Sequence, residues 1–402
     1  MECAAKSRKG NTNMMKERII VKNVGALKDT GVVELQPLTV LIGNSASGKS
    51  TLMKLVVLMR YIFKRICIRA YLKNAQIDEK IFYIRYRDFL RDDLKMLVTD
   101  ESFVEYIVET SDNHQFRVAI ENGKLEYDDN MPNQDIVFLK EVWVSEMRSV
   151  IPTLASKGSL AKNTSLGFFF DETFDDFKAA TDSISHFDLD YVGLQLDVVI
   201  GGNNQKRYMV APDDGSYEPI ELRNASSGIQ TTTPLSAMVK YFSTEFSFKK
   251  AQERSIISYL FEKDLTSKYR PDMEMADMPR IVHMHIEEPE LSLDPSSQIK
   301  LVNGIIRQAF YNTIDGRTVN MMFATHSPYI VNNLNLLIKA HDMGKDIDGA
   351  HLDYDSLSVY LLNGGSIINL KLKNKHYINT DRLSQDINDI YNRYDELKRE
   401  EA

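Results

Sequence analysis

The stretch LTVLIGNSASGKSTLMKLV, residues 38 to 56, constrains this chain more than any other. A β-type run (Leu38, Val40, Leu41, Ile42) ends in a loop of glycine, serine and one lysine, and a helical run (Leu52, Leu55, Val56) follows. Gly43, Asn44, Ser45, Ala46, Ser47, Gly48, Lys49 and Ser50 fit the pattern G-x-x-x-x-G-K-[ST]. In such a loop the backbone N–H groups curl around a phosphate chain, the lysine reaches the β and γ oxygens, and the final hydroxyl holds Mg²⁺. Glycines let the backbone come close, and the helix adds its positive end. The expected fold is α/β with a phosphate loop between two core elements.

Two acidic residues complete the pattern. The strand RIVHMHI ends in Glu287 and Glu288. Successive strand residues point to opposite faces, so the two carboxylates divide the work. Glu287 is expected to orient the metal, and Glu288 to accept a proton from attacking water. A second apolar strand, TVNMMFA, ends at Thr325-His326-Ser327-Pro328, where His326 can meet a γ-phosphate. In NASSGIQ, Ser226, Ser227 and Gly228 form a small, hydroxyl-bearing helix start suited to an anion. One chain would thus carry two phosphate-binding features, which suggests that one subunit closes over the nucleotide of another.

Composition restricts the alternatives. The chain has 402 residues, 43% hydrophobic and 26% charged, with net charge −8. An acidic balance confines any nucleic-acid contact to a local patch. Two cysteines, Cys3 and Cys67, offer no disulfide framework and point to a reducing, cytoplasmic setting. The most apolar helix carries Lys54, Arg60, Lys64, Arg65 and Arg69 and cannot span a bilayer, so no membrane is expected.

Taken in order, GNSASGKST, ASSGIQ, EEPE, LSLDP and ATHSP resemble the head of an ABC-type ATPase, from the branch shared by SMC-like repair ATPases and the OLD-type proteins. The resemblance implies a mixed sheet with a phosphate-loop core, an antiparallel β lobe and a helical insertion. It implies ATP and Mg²⁺ as cofactors, sandwiched in a head-to-tail homodimer. Lys49, Ser50 and Thr51 become phosphate and Mg²⁺ contacts, and Ser227 and Gly228 the signature offered in trans. Asp294 becomes the link between the two sites and His326 the switch histidine. Glu287 stands where the family more often has aspartate, and SSGIQ replaces LSGGQ, which argues against a transporter subunit. Gln76 is a weak candidate for the family's Q-loop.

Compact ATPases of this kind resemble the subunits of anti-phage systems such as Septu, PARIS and some retrons. That implies a separate effector chain, a nuclease or toxin, under ATP control. Alternatives are an SMC-like DNA-repair ATPase and a slow partner-binding clamp. The expected layout is a disordered lead-in over 1–17 and a single head over 18–402. Within the head, an insertion covers about 72–205, the signature region 206–245, a helical elaboration 245–275, and a β pair with a helix 350–402. Three further features have plain readings. His283 and His285 are expected to be a satisfied buried pair rather than zinc ligands. Arg65, Arg69 and Lys73 are expected on a solvated helix face. The apolar face Leu383, Ile387, Ile390, Tyr391, Tyr394 and Leu397 is expected to pack on its own head.

Overall fold

The computed structural model of the chain describes residues 15–77, 83–110, 113–156, 165–202, 206–271, 278–314, 316–372 and 375–400. The chain first builds an antiparallel lobe from β1 (Lys16–Val24), β2 (Leu27–Asp29) and β3 (Val33–Leu35). It crosses into β4 (Leu38–Gly43), turns through the glycine–serine loop and enters the long helix α1 (Lys49–Asn74). After the single turn α2 (Leu94–Leu97), the strands β5 (Phe103–Glu109), β6 (Gln115–Glu121) and β7 (Lys124–Tyr127) return to the lobe. The lobe order is β2-β1-β5-β6-β7, with β3 also on β1. Asn122 and Gly123, both at positive φ, turn β6 into β7, as an Asn-Gly pair favours.

β8 (Phe138–Val144) leaves the lobe, and α3 (Ile151–Ser156) and α4 (Phe168–Ser183) follow. A four-stranded antiparallel meander comes next: β9 (His186–Leu189), β10 (Leu194–Ile200), β11 (Lys206–Pro212) and β12 (Ile220–Glu221). The helices α5 (Ser227–Thr244) and α6 (Phe248–Glu262) lead to β13 (Arg280–Glu287) and α7 (Pro295–Ile306). β14 (Thr318–Thr325), α8 (Pro328–Asp342), β15 (Leu357–Asn363), β16 (Ser366–Asn369) and α9 (Gln385–Glu400) complete the described chain.

The central sheet runs β16-β15-β4-β14-β13-β8, and all its pairings except β15–β16 are parallel. A parallel strand covered on both faces reads as a continuous buried run, and β13 is buried from Ile281 to Glu287. The register pairs Thr325 with Ile42 and Glu287 with Ala324. The ends of β4, β14 and β13 therefore form one row along a single sheet edge.

The expected layout meets several differences. Glu17 belongs to β1 and is buried, so the lead-in is shorter than 1–17; residues 1–14 lie outside the described residues. The span 72–205 is not wholly peripheral, because β5 to β7 complete the lobe and β8 closes the central sheet beside β13. The C-terminal strand β15 is also a core strand, paired with β4. Of the apolar face expected to pack on the head, Leu383 does so, but Ile390, Tyr391, Tyr394 and Leu397 of α9 are 61–66% exposed. Ile387 is not among the residues whose side chains are described. Arg65 and Arg69 are half-buried rather than solvated, and Arg69 meets Tyr127 Oη at 2.6 Å and Asp129 at 3.5 Å.

Candidate nucleotide site

The loop after β4 is shaped as a cradle. Gly48 has φ +99, and a Cβ there would sit 2.7 Å from Leu27 Cδ2. At Gly43 a Cβ would sit 2.5 Å from the Leu362 carbonyl oxygen. Glycine is thus required at both ends of the loop, once for conformation and twice for space. Lys49, the first residue of α1, folds back and donates from Nζ to the carbonyls of Gly43 at 2.8 Å and Asn44 at 2.9 Å. Burial lowers its pKa, while Glu288 and Glu290 oppose that shift. Ser47 Oγ, inside the cradle, is buried without a hydrogen-bond partner among the described residues. A buried orphan hydroxyl in a cavity with a lysine is a place for an anion's oxygen.

The cavity has a volume of about 260 Å³, and its walls come from five segments. Ala26 represents the β lobe, and Ser45 to Thr51 form the loop. Glu146 follows β8, Glu287 and Glu288 end β13, and Ala324 and His326 end β14. The structure therefore brings Ser45, Ala46, Ser47, Gly48, Lys49, Ser50, Thr51, Glu287, Glu288 and His326 to one cavity. Glu287 is buried, and burial raises its pKa against the lowering effect of a hydrogen bond from Ser50. That Ser50–Glu287 pair fits Mg²⁺, which takes one or two carboxylates together with phosphate oxygens. Among the described residues no group of three or more potential ligands could hold a metal by itself.

Glu288 has an unusual backbone, φ +43, in the left-handed region. Its N–H donates to the Ala324 carbonyl at 2.8 Å, and its Oε1 lies 3.6 Å from His326 Nε2. Glu290 ties the neighbouring loop down, since its Oε1 accepts from Thr325 Oγ1 at 2.8 Å and from the His326 N–H at 2.7 Å. Glu290 Oε2 is another buried orphan.

Four expected residues lie elsewhere. Ser227 is exposed at the start of α5, and Gly228 is buried where a Cβ would meet the Ser292 carbonyl at 2.9 Å; neither lines the cavity of its own chain. Asp294 is exposed and caps α7, accepting from the N–H groups of Ser296 at 2.9 Å and Ser297 at 3.2 Å. Gln76 follows the far end of α1, whose 26 residues span about 39 Å, so it is remote from the loop. The strand-end position beside β13 belongs to Glu146, whose N–H meets Glu287 Oε2 at 3.4 Å. Glu146 and Arg148 were not legible as site residues, because the Glu287 and Glu288 atoms they meet lie 139 to 141 residues away in sequence.

No family model and no curated protein matches this chain. Solved structures overlap it loosely. The SMC head domain from Thermotoga maritima is 11% identical with TM-score 0.38, covering 89% of this chain and 100% of that one. An SMC head bound to the C-winged helix domain of ScpA gives 12% and 0.35, over 89% and 98%. The recombination mediator protein RecF-ATPrS of the RecFOR pathway gives 12% and 0.36, over 89% and 98%. The assignment of the site rests on the cavity itself.

The histidines of β13 belong to a different cluster behind the site. His283 Nδ1 and His285 Nε2 each lie 2.8 Å from one oxygen of Glu141, and His283 Nε2 lies 3.4 Å from Glu17. Arg60 Nε and Tyr106 Oη each donate to Glu17 at 2.6 Å. Glu287 points instead to the cavity, so the three do not form a common metal site.

Proposed function

We propose that this chain is an ATP-binding and ATP-hydrolysing switch. The observation that supports the reading best is the row of strand ends: phosphate loop, carboxylate pair and histidine around one cavity. When bound, ATP with Mg²⁺ supplies the scissile phosphoryl group and the charge that polarises it. Lys49 releases the Gly43 and Asn44 carbonyls and turns to the phosphate oxygens. Ser50 and Glu287 hold the metal, and Glu288 takes the proton of the attacking water. His326, 3.6 Å from that carboxylate, orients the water or the γ-phosphate.

Ser227 is exposed and outside its own chain's cavity, which supports its use by a second copy in a head-to-tail homodimer. Control of a separate effector chain in phage defence extends this reading, and its support is the motif resemblance. The DNA-repair alternative loses one feature, since Arg69 of the basic stripe is engaged by Tyr127 and Asp129. Among the described residues no helix is long and apolar enough to cross a membrane.

The deciding experiment is the mass in solution of Glu288→Gln protein with and without ATP-Mg²⁺. A mass that doubles with ATP, and fails to do so when Ser227→Arg is added, supports the switch. A monomer indifferent to ATP removes the head-to-tail dimer.

A further inference from the structure

Arg148 heads the large side chains that are completely buried, and it carries a charge. It lies in the turn after β8. Among the described residues its guanidinium donates only to main-chain carbonyls: Nε to Thr231 at 2.9 Å, Nη1 to Ser145 at 3.1 Å and Glu287 at 2.7 Å, and Nη2 to Glu288 at 2.5 Å. Among the described residues no carboxylate pairs with it directly. Burial pushes its pKa down to about 10, against the pull of Glu290, Glu287 and Glu288. An apolar side chain could fill this space without that desolvation cost. What the guanidinium adds is a rigid planar fork of donors.

That fork joins three segments: the end of β8, the first turns of α5, and the connection carrying Glu287 and Glu288. The left-handed backbone of Glu288 costs about 1–2 kcal/mol for a residue with a side chain, so it persists only where neighbours enforce it. Ala324 holds its N–H, and Arg148 holds its carbonyl. The start of α5 rests on the same connection, with Thr231 Oγ1 donating to the Leu291 carbonyl at 3.0 Å and Gly228 against Ser292.

We infer that Arg148 is a positioning residue, which holds Glu288 in its strained conformation and ties that conformation to the seating of α5. The inference rests on the reading above, in which Glu288 is the base and Ser227 meets the nucleotide of a second chain. Within such a dimer the strut makes each chain's hydrolysis depend on whether its own signature has found the opposite site. A shift of α5 moves the Thr231 carbonyl, Arg148 follows, and Glu288 relaxes to an ordinary backbone conformation. The two-state element is the single residue Glu288.

The test compares full-length Arg148→Met and Arg148→Lys with the wild type in ATP affinity, kcat and KM. Both variants should bind ATP within about two-fold of the wild type, as neither touches the phosphate cradle. In Arg148→Met, kcat should fall on the order of a hundred-fold, the effect of displacing a reacting group by about 1 Å. Arg148→Lys should fall between, because its ammonium can satisfy some of the four carbonyls. If Arg148→Met fails to fold, Arg148→Lys carries the comparison. Variants that hydrolyse ATP at the wild-type rate overturn the strut and leave the ATPase reading standing. Loss of ATP affinity in parallel with kcat overturns it too, as general damage. A wild-type protein that binds ATP without hydrolysing it removes the function reading itself.

Discussion

Strand β13 carries two clusters of charge that differ in one respect. In its middle, His283 and His285 belong to a largely buried network with Glu17, Glu141, Arg60 and Tyr106, and Glu141 uses both oxygens on the histidines. At its end, Glu287 and Glu288 face a cavity whose wall or immediate support includes Ser47 Oγ and Glu290 Oε2, both orphaned. The first cluster pairs its carboxylates inside the fold and joins the lobe to the central sheet, although His283 Nε2 and His285 Nδ1 make no hydrogen bond among the described residues. The second waits for a partner from outside. Polar groups that line a cavity at a strand end therefore mark the site better than buried charge as such, since buried ionisable networks also serve structure.

Breaking the buried cluster should have the largest effect. Arg60→Met leaves the buried Glu17 carboxylate without its cation, and stability should drop by about 3–5 kcal/mol. Denaturant unfolding checks this, and ATP affinity of the folded fraction should be unchanged. An equal loss of ATP affinity would show that the two clusters are one.

Breaking the open cluster should do the reverse. Lys49→Ala should weaken ATP binding on the order of a hundred-fold, the worth of a charge-assisted hydrogen bond to phosphate, with little change in stability. Titration with a fluorescent ATP analogue measures it, and wild-type affinity would refute the cradle.

The smallest effect is one of pH. Burial lowers the pKa of His285 to about 4, so it is neutral in the folded chain. The unfolded value, 6.5, is higher, and the unfolded chain binds the extra proton between the two. Stability from this group is therefore present above pH 6.5 and is lost as pH falls towards 4, by on the order of 1–3 kcal/mol. For Glu17, burial raises the pKa but Arg60 and His283 outweigh it and bring it down to about 2, adding a further loss below 4.5. Thermal midpoints across this range measure both, and Arg60→Met should alter the curve while Lys49→Ala should not.

How much of this was legible follows from the range of the interactions. The strand–loop–helix around Lys49 is local, as are the strand ends at Glu287 and His326, and the sequence pattern places them. The Asn122-Gly123 hairpin is equally local. β8 was hidden because Lys140 and Glu141 interrupt its apolar pattern; in the fold Asp176 meets Lys140 at 3.1 Å and the histidines of β13 meet Glu141. Arg148 and Glu146 were invisible for a similar reason, as nothing near them in sequence announces a carbonyl and a carboxylate more than a hundred residues away. The amphipathic pattern of α9 is real, but periodicity records a face and not what covers it.

The pairing of β4 has a consequence for how the protein is made. Leu38 at its start lies beside Met321 of β14 and Leu357 of β15, so its two neighbours come from the last quarter of the chain. At about 5–20 residues per second of synthesis, β4 and the apolar α1 leave the ribosome on the order of ten seconds or more before those strands exist. During synthesis the segment holding the phosphate loop can be shielded by the antiparallel lobe alone, or by a chaperone. Its final shape, and any affinity for nucleotide, must appear late and nearly all at once.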